Sequence, residues 1–190
     1  MSTSVNNIKI SAKISPGVDL YTIESNLSKE EIVEKYQSFL VIKKEWSIVV
    51  FKQGNKSYNH VNICGLKNYC EILESIDVLA RISNTPSANI GFTIDNICGN
   101  GDLKTHIDLE KFQSFACQHP IQYNPEIFPG MYIRCDNLVM ILFSNGKVNF
   151  VGAKRFEDLD ESFHRLKQLV TSYQNHQNAL STFWNNSGFS

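Results

Sequence analysis

The feature that most limits what this chain can fold into is its internal repetition. Val61-Asn62-Ile63-Cys64-Gly65-Leu66-Lys67 aligns with Val148-Asn149-Phe150-Val151-Gly152-Ala153-Lys154, with Val, Asn, Gly and Lys kept in register. An apolar run ending in Phe-x-x-Gly precedes each, Ile48 to Gly54 and Met140 to Gly146. Asp19-Leu20-Tyr21-Thr22 and Asp102-Leu103-Lys104-Thr105 stand near the start of the two halves. Three markers in the same order imply two copies of one structural unit. The copies are offset by 83 residues at the Asp-Leu marker, 92 at the Phe-x-x-Gly marker and 87 at the last, so they differ by loop insertions, notably Asn55 to His60. Residues 1–86 read as the first copy, 87–174 as the second and 175–190 as a polar tail, with Asn84-Thr85-Pro86-Ser87-Ala88 as connector. Leu180, Phe183 and Trp184 are the apolar residues of that tail, which is either disordered or docked through them.

Both copies read as strands followed by a closing helix. In the second, Ile90 to Cys98 is a strand, Gly99-Asn100-Gly101 a turn, and Ile107 to Cys117 a short helix carrying Ile107, Leu109, Phe112 and Phe115. Met131 to Arg134, Leu138 to Phe143 and Val148 to Val151 form a meander with turns at Asp136-Asn137 and Asn145-Gly146. Phe156, Leu159, Phe163, Leu166, Leu169, Val170 and Tyr173 then give an amphipathic helix. In the first copy, Ser28-Lys29-Glu30-Glu31 has the form of a capping box ahead of a helix. Leu40 to Ile42, Ile48 to Phe51 and Val61 to Cys64 are strands, and Tyr69, Ile72, Leu73, Ile76 and Leu79 form the stripe of the closing helix.

Composition narrows the function classes. Eighteen basic residues face nineteen acidic ones, for a net charge of −1, which argues against a general polyanion binder. Any nucleic-acid surface must come from segregating charge between faces. Cys64, Cys70, Cys98, Cys117 and Cys135 are odd in number and never spaced as C-x-x-C, so the reading is reduced, mostly buried thiols, with no metal site or cofactor. Met1 to Lys9 holds no run long enough for a signal peptide, and no stretch of about 18 uncharged apolar residues occurs. The expectation is a soluble intracellular protein without a membrane span.

Strand alternation carries the functional signal. Leu138, Met140 and Leu142 point one way and Val139, Ile141 and Phe143 the other, and both sets are apolar. An antiparallel sheet with helices on one face normally turns polar residues to water on the other. The second face must therefore meet another surface. Asn149 and Val151 fall on it in the second copy and Asn62 and Cys64 in the first, giving an apolar floor with a few amides and no carboxylate. A two-sided buried sheet, a subunit interface and a ligand surface all satisfy the pattern.

Tyr123-Asn124-Pro125-Glu126-Ile127-Phe128-Pro129-Gly130-Met131, then Phe143-Ser144-Asn145-Gly146-Lys147-Val148 and Gly152-Ala153-Lys154, closely resemble the second repeat of the TATA-box-binding protein (TBP) family. Phe92-Thr93-Ile94-Asp95-Asn96 extends the likeness upstream. Residues 89 to about 172 are well covered; residues 8–82 are reached only through the repeat. The resemblance implies an α+β TBP-like saddle: two pseudo-symmetric repeats of a curved antiparallel sheet, helices on its convex face, and the DNA minor groove on its concave face. Aromatic wedges that unstack base steps and bend the duplex belong to this family's known mechanism, and the bend is taken from the family.

Carried over by position, Phe128 and Phe143 match the wedge pair of the second repeat. Phe51 matches one wedge of the first, and the other falls on Tyr36, or on Phe39 if the register slips. Asn96 matches the central groove-floor amide, and its first-repeat counterpart is Lys13, a departure that breaks the twofold readout. Ile141, Val151 and Val49 keep the apolar floor, whereas Asn149, Asn62 and Cys98 stand where the family usually carries apolar residues. Arg134, Lys147 and Lys154 match phosphate-contacting positions, with Lys67 and Lys56 as weaker matches. Glu126 and Ile127 match a loop that binds transcription factor IIB, while the first-repeat loop for factor IIA is unrecognisable around Lys35-Tyr36-Gln37. The acidic residues Glu71, Glu74, Asp77, Glu157, Asp158, Asp160 and Glu161 alter the family's basic helical surface.

The expected partners are double-stranded AT-rich DNA, a factor IIB-like protein and the RNA polymerase machinery, in the nucleus or at a viral transcription site. A family-shaped interaction module without DNA binding of its own is the alternative. An enzyme ranks last, because no paired carboxylates or Cys/His pair share a predicted surface.

Overall fold

The computed structural model describes residues 3–29, 31–53 and 57–186. Among them the order is β1 (Ser4–Val18), α1 (Leu20–Ser25), β2 (Ile32–Lys35), β3 (Phe39–Lys43), β4 (Ser47–Gln53), β5 (Ser57–Leu66), α2 (Tyr69–Ser83), β6 (Gly91–Asp102), α3 (Leu109–Phe115), β7 (Ile121–Gln122), β8 (Met131–Arg134), β9 (Val139–Leu142), β10 (Lys147–Ala153) and α4 (Glu157–Asn186). The class is α+β, as expected. Two compact units divide the chain, Val5–Cys98 and Met1–Ser4 with Gly99–Ser190. The cut falls inside β6, in whose N-terminal part Asp95 takes Lys9 and Ser11 of β1.

In the unit Val5–Cys98 the strand order is β2-β3-β4-β5-β1-β6. Alternation buries Ile8, Ile10 and Ala12 of β1, Leu40 and Ile42 of β3, Ile48 and Val50 of β4, and Val61 and Ile63 of β5. These residues face α2, which buries Ile72, Ile76, Leu79 and Ile82 and packs on β5. Tyr69 and Leu73, expected in that stripe, are exposed. Asn68 starts α2 by accepting the Glu71 N–H at 2.9 Å, and Asn84 ends it in the left-handed conformation at φ 49°. The expected helix after Ser28 is instead β2. Glu31 does fold back to the Ser28 N–H at 2.7 Å, but Ile32 and Val33 then pair with Lys43 and Ile42. A capping box fixes a turn, and β-branched residues beside an open strand edge continue it as sheet. The helix lies earlier, α1, capped by Asp19 on Thr22 N–H at 2.7 Å. Residues 57–60 of the expected loop insertion belong to β5.

In the unit Gly99–Ser190 the order from the end of β6 is β6-β10-β9-β8-β7. Met131, Ile133, Met140, Leu142, Val148 and Phe150 are buried against α4, where Phe150 meets Phe163 edge-on at 6.0 Å. Gly99-Asn100-Gly101 is strand, not turn. These glycines serve close approach: a β-carbon on Gly99 would stand 2.4 Å from Leu159 Cδ2, and one on Gly101 2.9 Å from Phe163 Cε2. Helix α3 is shorter than expected and is capped by Asp108, so Asp108, not Asp102, is the counterpart of Asp19. Residues 175–186 of the expected tail continue α4, whose side chains from Asn178 to Phe183 are all exposed.

Two expectations about side chains also change. The cysteines are free, but Cys70 and Cys117 are exposed and the other three only partly buried. Asp158, counted among the surface acids, is 3% exposed and turned inward to Arg155 and Asn137.

Candidate nucleic-acid interface

Among the described residues, each unit has a sheet face without helices. In the unit Gly99–Ser190, Tyr132 pairs with Ile141, Ile141 with Asn149, and Arg134 and Val151 each with Val139. Cross-strand partners share a face, so these six side chains form one floor. Lys147 lies on the same side two residues before Asn149. Val139 and Ile141 are partly exposed and Val151 is 42% exposed.

Phe128 and Phe143 rise from the edge of this floor, with ring centroids 6.1 Å apart at 63°, and Phe128 also lies 5.5 Å from Tyr132. Gly130 makes that packing possible. A β-carbon there would stand 2.6 Å from Phe128 Cε1, 2.7 Å from Ile141 Cγ2 and 3.1 Å from Phe143 Cε1. Matching to the family position by position does not single out Gly130, although Phe128-Pro129-Gly130 marks it in the sequence. Asn124 holds the preceding loop: its carbonyl accepts the Ile127 and Phe128 N–H groups at 3.1 and 3.0 Å, and its side chain accepts Glu126 N–H at 3.1 Å. This turn leaves Ile127 81% exposed beside Glu126.

In the unit Val5–Cys98 the helix-free face carries Val41, Val49, Asn62 and Cys64, with Lys9, Ser11 and Lys13 on β1. Register makes Phe39 the partner of Phe51, their rings 5.9 Å apart, with Tyr36 stacked on Phe39 at 4.5 Å. Both alternatives for the second wedge thus belong to one cluster. Pairing Leu40 with Val50 and Met131 with Leu142 makes Phe39 the positional counterpart of Gly130. The first copy therefore fills with a ring the space that the second leaves for Phe128.

One expectation fails on this face. It does hold a carboxylate: Asp95 accepts from Ser11 Oγ and lies 3.3 Å from Lys9 Nζ. Ser11 Oγ is also 3.1 Å from Asn62 Oδ1, and Asn96 Nδ2 is 3.1 Å from Cys98 Sγ. Burial pushes the Cys64 thiol above its ordinary value, with Lys9 opposing and Asp95 adding to the shift.

Of the remaining cations, Arg134, Lys147, Lys154, Lys67 and Lys13 are exposed. Lys67 sits at the start of α2, where its backbone N–H donates to Glu71 at 2.8 Å. Lys56 lies outside the described residues. Among the described residues no group of three or more His, Cys, Asp or Glu side chains could hold a metal, and no helix is long and apolar enough to cross a membrane.

Comparison with known proteins finds one family. Residues 91–173 match the family described as "Transcription factor TFIID (or TATA-binding protein, TBP)". TATA-box-binding protein 2 of Methanosarcina mazei is 28% identical over 176 residues, spanning 88% of this chain and 93% of that protein. These likenesses all point to the TATA-box-binding protein family. The TATA-box-binding protein of Acanthamoeba castellanii is 31% identical over 110 residues, but the match spans only 40% of that protein. The structure of Methanococcus jannaschii TBP shares the fold at a TM-score of 0.69 and 22% identity, covering 90% of this chain and 99% of that one.

Proposed function

We propose that this chain is an initiation factor that grips AT-rich promoter DNA by the minor groove and recruits transcription machinery to it. The observation that carries the reading is the Phe128–Phe143 pair, held over Gly130 at the edge of an apolar, amide-bearing face that no helix covers. Apolar side chains suit a groove floor, and aromatic wedges unstack base steps. Ile141, Val151, Asn149 and Asn96, with Val49 and Asn62, supply floor contacts. Phe51, with Phe39 and Tyr36, is the first copy's weaker counterpart, and the 89-residue offset that pairs Asp19 with Asp108 puts its central amide at Asn7, not at the expected Lys13. Arg134, Lys147, Lys154 and Lys67 position the duplex through phosphates. Glu126 and the exposed Ile127 form the contact for a factor IIB-like protein, which brings in the polymerase. The site of action is the nucleus or a viral transcription site.

The test is binding of the full chain to AT-rich duplex across a salt series, beside Phe128→Ala and Phe143→Ala. Affinity on the order of micromolar or better, falling with salt and lost in both variants, supports the reading. No binding at low salt sinks it.

A second reading is a protein-interaction module that meets DNA only with help. The net charge of −1 and the carboxylate of Asp95 on the face favour it. It predicts association with a factor IIB-like protein but not with DNA alone.

A further inference from the structure

A carboxylate on a face read as DNA-binding needs an explanation, since it approaches a polyanion. Asp95 is no stray surface charge: its side chain is 29% exposed and is tied down from two directions. Ser11 and Lys9 both come to Oδ2, and Thr93 Oγ1 lies at 3.5 Å from Oδ1, the far limit of a hydrogen bond. A serine hydroxyl has one proton to give. With that proton on Asp95, the 3.1 Å contact between Ser11 and Asn62 is made by the Asn62 amide donating, its oxygen and nitrogen exchanged. Asn62, Ser11 and Asp95 then form a directed chain, and Lys9 closes it from the other side. Lys9 pairs across the strands with Cys64 and Ser11 with Asn62, so the cluster belongs to the helix-free face.

The chemistry of the groove says what such a group reads. In the minor groove an A·T pair shows only acceptors, whereas a G·C pair adds the guanine 2-amino donor. A carboxylate only accepts. Against A·T it meets lone pairs; against guanine it meets the one donor on the floor. Lys9 offsets its charge toward the phosphates. We infer that Asp95, positioned by Ser11 and Lys9, is a specificity residue that accepts from the guanine 2-amino group, so that the preferred site carries a G·C pair within AT-rich DNA. This rests on the minor-groove reading above and adds a base preference to it.

Inosine isolates the claim, because an I·C pair lacks only the 2-amino group of G·C. Full-length protein is titrated with AT-rich duplexes in which one pair, walked across the site, is A·T, G·C or I·C. At one position G·C should bind about tenfold tighter than I·C, the worth of one hydrogen bond to a charged group. Asp95→Ala should remove that difference, and Asp95→Asn, which can donate, should favour A·T and I·C there. The wild-type comparison needs no variant to fold. Equal binding of G·C and I·C at every position, or a preference that survives Asp95→Ala, overturns the inference. Binding that is lost in Phe143→Ala yet indifferent to the 2-amino group overturns this inference alone, while no binding to any duplex overturns the minor-groove reading together with it.

Discussion

A β-carbon on Gly130 would stand 2.6 Å from Cε1 of Phe128, so the phenylalanine occupies space that only a glycine leaves. The equivalent strand position in the first copy is Phe39, stacked under Tyr36 and facing Phe51. The two copies share a strand plan but build their aromatic edges differently, which is why the second matches the family motif and the first does not. If both edges grip DNA, they do so unequally.

Gly130→Ala should therefore cost about 1–3 kcal/mol by overpacking, and should displace Phe128 and Phe143 together. Gly91→Ala is the control. Nothing lies within 4 Å of its β-carbon, and the change should stay within about 0.5 kcal/mol. Urea unfolding of both variants checks this, and DNA affinity should fall with Gly130→Ala only.

Arg134 and Lys147 lie on the floor side of β8 and β10 and are exposed. Replacing either by Ala should weaken binding to all duplexes alike and lower the slope of log K against log salt by about 0.9 per lost phosphate contact. A change in sequence preference without a change in slope would assign these cations to another role.

Asp158 takes the Arg155 backbone N–H and Nε, each at 3.1 Å, and Asn137 Nδ2 at 3.2 Å. Burial raises its pKa, but hydrogen bonds from the Arg155 backbone and guanidinium outweigh it and hold the carboxyl below its ordinary value of 3.8. A depressed folded-state pKa contributes stability above the unfolded value and loses it as pH falls through the folded one. Asp158→Ala should cost about 1–3 kcal/mol at neutral pH and little in strong acid, where the wild type has lost the same contribution. Thermal unfolding between pH 7 and about pH 2 measures both.

Asn68 caps α2 through a 2.9 Å bond to the Glu71 N–H, and Glu71 returns a contact to Lys67 N–H at 2.8 Å. Asn68→Ala should cost about 1 kcal/mol, and Asn68→Asp nothing or less. A chain of this length would show the first as a fall in Tm of roughly 2–4 °C.

The sequence by itself determined the repeat, the meanders β3 to β5 and β8 to β10, both closing helices and the two-faced strands, because alternation and 3.6-residue periodicity are local patterns read along the chain. It also carried the family motif through Phe128, Gly130 and Phe143. Tertiary structure decided the rest. Ile32 and Val33 became strand because β3 offered an edge, and Gly99 and Gly101 became strand because Leu159 and Phe163 press on them. A glycine written in sequence does not say whether it serves a turn or a close approach. Asp95, the face's unexpected carboxylate, owes its place to Ser11 and Lys9, some 84 and 86 residues away in the chain. Those bonds exist only once β6 is laid beside β1, and no periodicity within either strand announces them.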